Sequence, residues 1–249
     1  MIPGAISALP PVLLINLARS VDRLRTATAE LERVGLPFER LDAVEGAALS
    51  AEERARIAPW DPRAYYQSLS PGEIGCYLSH IAAAERIVRE GWPRALVLED
   101  DFRVRPDAVD TLRAVLALPG PVPDVIKLEG TLSGGTVRAT LPGGVRLMRH
   151  RRPPARTVAM LWSLDGAKRF LAIARPLRRP IDVQLKHWWE GPLDVAYLDP
   201  APFTQHVEHT AQSTIAGRRT SGPAQQLRRL RYRWMFALES RVRYTFTLP

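Results

Sequence analysis

Short apolar runs alternate along this chain with stretches whose apolar residues recur at helical spacing. Val12 to Leu17 (VLLINL) is a compact apolar run bounded by Pro11 and the polar ARSVDR, and it predicts a buried strand. Ser20 is placed to cap the next helix, predicted over Val21 to Val34, where Leu24, Leu31 and Val34 form one stripe and Gly35 supplies the stop. Pro37 to Ala43 reads as a second strand. A strand–helix–strand opening of this kind predicts a parallel α/β sheet. Ala47 to Ser70 reads as a short helix and a loop. Ser70, Pro71 and Glu73 then spell a capping box with proline in the first helical position, predicting a helix to about Glu90, where Gly91 ends it.

The second half repeats the alternation. Strands are predicted at Ala95 to Leu98, Asp124 to Leu128, Thr157 to Trp162 and Leu193 to Leu198. Helices are predicted near Asp107 to Leu118, Asp165 to Ala174 and Asp182 to Glu190, with hairpins or loops over Gly134 to Arg152. Gly217 to Pro223 reads as a linker, and Gln225 to Tyr244 is helical by pattern. The expected organisation is one domain over residues 1–216 and a basic helical tail over 217–249. No segment repeats internally.

Charge changes this picture at one end only. The net charge is +9, and the segment from Arg218 to Pro249 carries eight arginines against the single acid Glu239. A basic tail on a near-neutral domain points to an anionic surface. One cysteine, Cys76, leaves no internal disulfide and no zinc-ligand spacing. No apolar run reaches the roughly 18 residues that cross a bilayer. The opening MIPGAISALPP lacks the basic and apolar regions of a secretory signal, so a cytoplasmic location is expected.

The candidate chemistry sits in Glu99-Asp100-Asp101, directly after the strand ALVL. Three acids at the carboxyl end of a central strand repel one another unless something positive faces them, and that edge is where open α/β sheets bind ligands. Alternate residues point the same way, so Glu99 and Asp101 are expected to converge, with Asp100 turned aside. Such oxygen ligands suit Mg²⁺ or Mn²⁺, which complete their shells with substrate phosphates. The plainer alternative is a solvated strand end with a helix cap.

Six segments, taken in order, resemble glycosyltransferase family 25, the lipooligosaccharide and collagen galactosyltransferase group. They are VLLINLARSVDR (12–23), LDAVEG (41–46), LSPGEIGCYLSH (69–80), ALVLEDD (95–101), AMLWSLDGAKRFL (159–171) followed by PID (180–182), and AQSTI (211–215). The resemblance implies a GT-A-type fold, a Rossmann-like mixed sheet flanked by helices with the nucleotide along the first strand. It implies a metal on the acidic motif, a nucleotide-sugar donor such as UDP-galactose, and inversion at the anomeric carbon. Gly134 to Arg152 has no counterpart in these segments.

The remaining candidates each have a duller alternative. Asn16, Arg19 and Arg23 end the first strand, where arginine meets phosphate with a planar fork; Arg23 could equally pair with Glu39 or Glu45. Ala43, Glu45 and Gly46 close the second strand, where small residues let a base approach the backbone, or serve only as a turn. Ser79 and His80 share a helix side with Glu73 and could touch the donor or steady the acids; a lone helical histidine is more often structural. Glu73 is read first as the capping acid, and Cys76 as core. Asp182 is the proposed base for the acceptor hydroxyl, with Asp194 and Asp199 as weaker candidates; its alternative is an N-cap. Trp189, seven residues on, and Trp188 offer a flat surface to an acceptor sugar or are simply core. Gln205, His206, His209 and Ser213 fall in or near the last matched segment, where a histidine could complete a metal shell.

Together these imply a metal-dependent inverting hexosyltransferase acting on a saccharide or glycolipid. Its tail, which interleaves arginine with Leu230, Tyr232, Trp234, Met235 and Phe236, fits the inner face of an anionic membrane, nucleic acid, or simple packing on the domain. A lipid-linked acceptor favours the membrane. Two rivals remain. A sugar nucleotidyltransferase would carry a glycine-rich loop where this chain has ARSVDR. A basic adaptor without catalysis would have no need of the intact acidic triplet.

Overall fold

The computed structural model describes residues 9–130, 132–206 and 222–246. The first strand, β1 (Val12–Asn16), lies between β2 (Glu39–Asp42) and β3 (Arg94–Glu99), all parallel. Beyond β3 the sheet continues through β8 (Ala159–Ser163), β5 (Val125–Lys127), β9 (Val195–Asp199), β7 (Arg146–Arg149) and β6 (Thr136–Thr140). β8 runs antiparallel to both β3 and β5, and β7 antiparallel to β9 and β6. The sheet is therefore mixed, as the Rossmann-like reading expects. The segment left open at Gly134 to Arg152 is the β6–β7 hairpin that extends one edge. A separate two-stranded ribbon, β4 (Phe102–Val104) with β10 (Phe203–Gln205), has no clear signal in the sequence because each strand is only three residues long.

Both faces of the sheet are covered, which is why β1 carries four consecutive apolar residues, Val12 to Ile15, and β3 another four, Ala95 to Leu98, rather than alternating. Val12, Leu14, Leu96 and Leu98 face one layer, built on α1 (Val21–Arg33) and α4 (Ala108–Leu116). Leu13, Ile15, Ala95 and Val97 face the other, built on α3 (Pro71–Glu90), α5 (Leu164–Ile173) and α6 (Ile181–Lys186). A short helix, α2 (Ala51–Ile57), carries its own capping box from Ser50 and Glu53. At α3, Ser70 accepts from the Glu73 amide and Glu73 accepts from that of Ser70, so Glu73 is spent on the cap as expected. Ser20 does precede α1, but its side chain makes no cap hydrogen bond.

The tail forms one helix, α7 (Pro223–Phe246). Its inner face packs on the domain. The Tyr232 ring lies 5.3 Å from that of Tyr65, and the Phe236 ring 5.7 Å from that of Trp189. Arg149 stacks over Tyr244. The boundary expected at 216/217 lies outside the described residues. None of the described helices is long and apolar enough to cross a membrane.

Candidate functional site

The parallel strands β1 and β3 end side by side, and a cleft of about 530 Å³ opens at their carboxyl ends. Arg19, Arg23, Ala43, Glu45, Gly46, Ser79, His80 and all three acids of the cluster line it. The sequence scatters these residues over just more than eighty positions, and the α/β topology gathers them. Ser79 closes one side, accepting from the Val44 amide at 2.9 Å while donating to the Gly75 carbonyl at 2.7 Å. Gly46 is required there by close approach. A Cβ at that position would lie 1.9 Å from the Pro71 carbonyl oxygen.

The three acids are held differently. Glu99 is turned into a nest beneath the cleft, where its Oε1 meets His80 Nε2 at 3.0 Å and accepts from the Thr157 hydroxyl. Cys76 Sγ lies 3.9 Å from the same oxygen. Burial alone would push the Glu99 carboxyl up, but the hydrogen bonds from His80 and Thr157 hold it below the ordinary carboxylate value. Asp100 is not turned aside. It accepts from Asn16 Nδ2 at 2.6 Å and pairs with Arg23, whose guanidinium also lies 3.6 Å from Asp101. The acid beside Arg23 is thus a member of the cluster, while Glu45 pairs with Arg19 at 2.8 Å. Asp101 accepts from Gln205 Nε2 at 3.0 Å, and its backbone carbonyl accepts from the His206 amide at 2.7 Å. Burial pushes both Asp100 and Asp101 upward, and each is pushed further by its acidic neighbours.

A divalent cation fits this arrangement. Asp101 Oδ1 is buried and has no hydrogen-bond partner among the described residues, an unstable condition for a carboxylate oxygen that a cation would relieve. Cys76, His80 and Glu99 also bring one ligand atom each within 4.8 Å of one another. Burial raises the Cys76 thiol well above its ordinary value, so it is a protonated neighbour of Glu99 and a poor metal ligand. Cys76 packs against the core, as expected, and also lines the cleft.

Asp182 lies in the first turn of α6 and outside the cleft lining, and the residue that caps this helix is Pro180. Its charge reaches Cys76 and the buried ammonium of Lys127. The helix stops at Lys186, so Trp189 does not continue on its face. Trp188 and Trp189 lie in a separate turn, Trp188–Glu190. Trp188 is buried and donates to the Arg151 carbonyl at 3.2 Å, while Trp189 packs between His187 and Phe236. Asp194 and Asp199 are both paired at the far sheet edge, with Arg138 and Arg146. His209, Ser213 and the AQSTI segment lie outside the described residues.

Two residues that matter here carry no sequence signal of their own. Thr157 is an ordinary strand-edge threonine until the fold sets it on Glu99. Lys127 is fully buried and donates to the carbonyl of Pro154 at 2.8 Å and to that of Arg156, and burial lowers its ammonium to about 8.

Comparison with known proteins agrees with this part of the molecule. Residues 9–120 match the model of glycosyltransferase family 25 (LPS biosynthesis protein). This segment is similar to glycosyltransferase family 25. A "Glycosyltransferase 25 family member" of Drosophila melanogaster is 32% identical over 104 residues, covering 40% of this chain and 17% of the fly protein. A "Probable inactive glycosyltransferase 25 family member 3" of Bos taurus is 27% identical over 244 residues, covering 85% of this chain and 39% of that protein. Matches therefore span well under half of either relative. A solved glycosyltransferase involved in glycosylation of the major capsid of PBCV-1 aligns with a TM-score of 0.45 at 13% identity, over 83% of this chain and 100% of that one.

Proposed function

We propose that this chain is a GT-A-type, metal-dependent inverting glycosyltransferase. It moves a hexose, galactose being the first to test, from a UDP-sugar to a saccharide of a lipooligosaccharide or related glycan. The observation that carries this reading is the buried acidic cluster at the ends of β1 and β3, inside the segment that matches the family. The family model's own description, an LPS biosynthesis protein, supports the acceptor class.

Asp101 and Glu99 are the residues that would hold Mn²⁺ or Mg²⁺, which when bound would offset the charge that builds on the departing diphosphate. Asn16 and Arg23 fix Asp100, and with it the orientation of the cluster. Arg23 and Arg19 bring positive charge to the side of the cleft where the diphosphate lies. The small side chain of Ala43 leaves room for the nucleoside, while Gly46 lets the end of β2 pack directly against α3. The acceptor oxygen attacks the anomeric carbon as the bond to UDP breaks and UDP takes the electron pair. The acceptor proton passes to Asp182, the base proposed because its charge reaches the same buried region.

The tail helix supports a peripheral place on an anionic membrane at the inner, cytoplasmic face. Leu227, Leu230, Trp234 and Leu238 stand exposed on its outer side among arginines, a pattern that suits lipid better than the polar surface of nucleic acid.

The bovine relative's name keeps a non-catalytic reading in view, and one variant separates the two. Asp101→Ala is expected to abolish metal-dependent transfer while the protein stays folded. Undiminished transfer with unchanged metal dependence contradicts the metal assignment.

A further inference from the structure

A second cleft, about 920 Å³, is linked to Asp101 through Gln205. Glu129, Gly130, Arg156, Phe203, Thr204 and Gln205 are among its walls. Gln205 is shared between the two sites, since it lines this cleft and donates to Asp101 at 3.0 Å. The walls are fixed by backbone. Phe203 donates to the Leu128 carbonyl at 3.0 Å and bridges Glu129, which locks the end of β5 against β10. Lys127 holds the carbonyls of Pro154 and Arg156. Arg156 adopts φ +66°, a left-handed backbone that a non-glycine residue takes only under constraint. That turn sends its guanidinium to Glu129 at 3.0 Å, while the next residue, Thr157, reaches Glu99.

Glu129 is the group in this cleft that the donor chemistry does not use. Its side chain is 4% exposed. Arg156 satisfies Oε1, but Oε2 is buried with no hydrogen-bond partner among the described residues. A carboxylate oxygen in that state costs free energy that a hydroxyl donor would recover. Its charge interacts with those of Asp101 and Lys127, so it belongs to the same electrostatic neighbourhood as the cluster. The volume is within the range of clefts that bury small organic ligands.

We propose that this second cleft is the acceptor subsite, and that Glu129 Oε2 accepts a hydrogen bond from a hydroxyl of the acceptor sugar. The inference rests on the glycosyltransferase reading above. Glu129 is a binding and positioning residue, distinct from the proton-accepting role given to Asp182.

The test is saturation-transfer NMR with a panel of methyl α- and β-hexopyranosides, on the wild-type chain and on Glu129→Gln, with UDP binding and thermal unfolding measured on both. The expected result is a glycoside signal in the wild type and a loss of affinity of about tenfold or more in Glu129→Gln, with UDP binding retained. Thr204→Trp fills the cleft from an exposed wall position and leaves the Glu129 carboxylate in place, and it is expected to abolish the same signal. Glycoside binding that survives both variants, or a panel that gives no signal with the wild type, overturns the proposal. Failure of the parent reading is distinguishable, because it appears as absent UDP binding whatever the glycosides do.

Discussion

Arg23 is the cation that faces Asp100 and Asp101, and replacing it by alanine tests how the cluster is held together. The pair is largely buried, with side-chain exposure of 19% for Arg23 and 8% for Asp100. A surface pair of this kind would contribute under about 1 kcal/mol, whereas leaving one charge of a buried pair uncompensated costs about 3–5 kcal/mol. Asn16 still donates to Asp100 in the variant, and Arg23 is not fully enclosed, so the lower end applies, about 3 kcal/mol. For a domain of this size that lowers the melting temperature by roughly 6–12 °C. The same change makes the cluster more negative. Mn²⁺ should then bind the variant more tightly than the wild type, and at about 100 times its dissociation constant should restore about 2.7 kcal/mol. UDP, which the account brings near Arg23, should bind the variant more weakly. The assay is urea and thermal unfolding of both proteins across a Mn²⁺ titration, with calorimetry for UDP. A destabilisation below about 1 kcal/mol, or a Mn²⁺ response no larger in the variant than in the wild type, refutes the reasoning.

Three further outcomes are expected. Asp182→Asn should lower turnover, measured as UDP release, by about 100-fold or more and leave UDP affinity within about twofold; unchanged turnover removes Asp182 as the base. Lys127 has its ammonium lowered to about 8 from the ordinary 10.5, so the folded chain binds fewer protons than the unfolded one between those values, and wild-type stability should rise with pH across that window by about 3 kcal/mol. Lys127→Met should lack that rise, and parallel urea-midpoint profiles for the two proteins from pH 7.5 to 10.5 would show the burial argument wrong. The outer face of α7 should carry the chain onto vesicles containing about 30% phosphatidylserine in a salt-sensitive manner, and Trp234→Glu with Leu238→Glu should release it; no sedimentation of the wild type with such vesicles contradicts the membrane reading.

The acidic site was legible because its signal is local. An apolar strand that ends in three acids is visible in seven consecutive residues, and the capping box at Ser70 and Glu73 in four. How each acid is used was not legible, because the partners come from far along the chain. Thr157 reaches Glu99 from 58 positions away, and Gln205 reaches Asp101 from 104. Alternation along a strand missed the place of Asp100, since β3 ends at Glu99 and the chain turns there, bringing Asp100 into the cleft against Arg23. The same limit applies to Trp189, whose expected helical face is lost where α6 stops at Lys186. The antiparallel insertion of β8 between β3 and β5 is equally non-local, because an apolar run buried on both faces looks the same in either direction. Glu129 drew no notice in the sequence because its environment is made by Arg156 and Phe203, both distant in the chain.

The central claim is that the cleft above β1 and β3 holds a nucleotide through a metal on the acidic cluster. Calorimetry of the purified chain with UDP, with and without Mn²⁺, tests it most directly. The account predicts saturable UDP binding that requires Mn²⁺ and disappears in Asp101→Ala. UDP binding of equal strength without metal, or no binding to the folded wild-type chain under either condition, would contradict it.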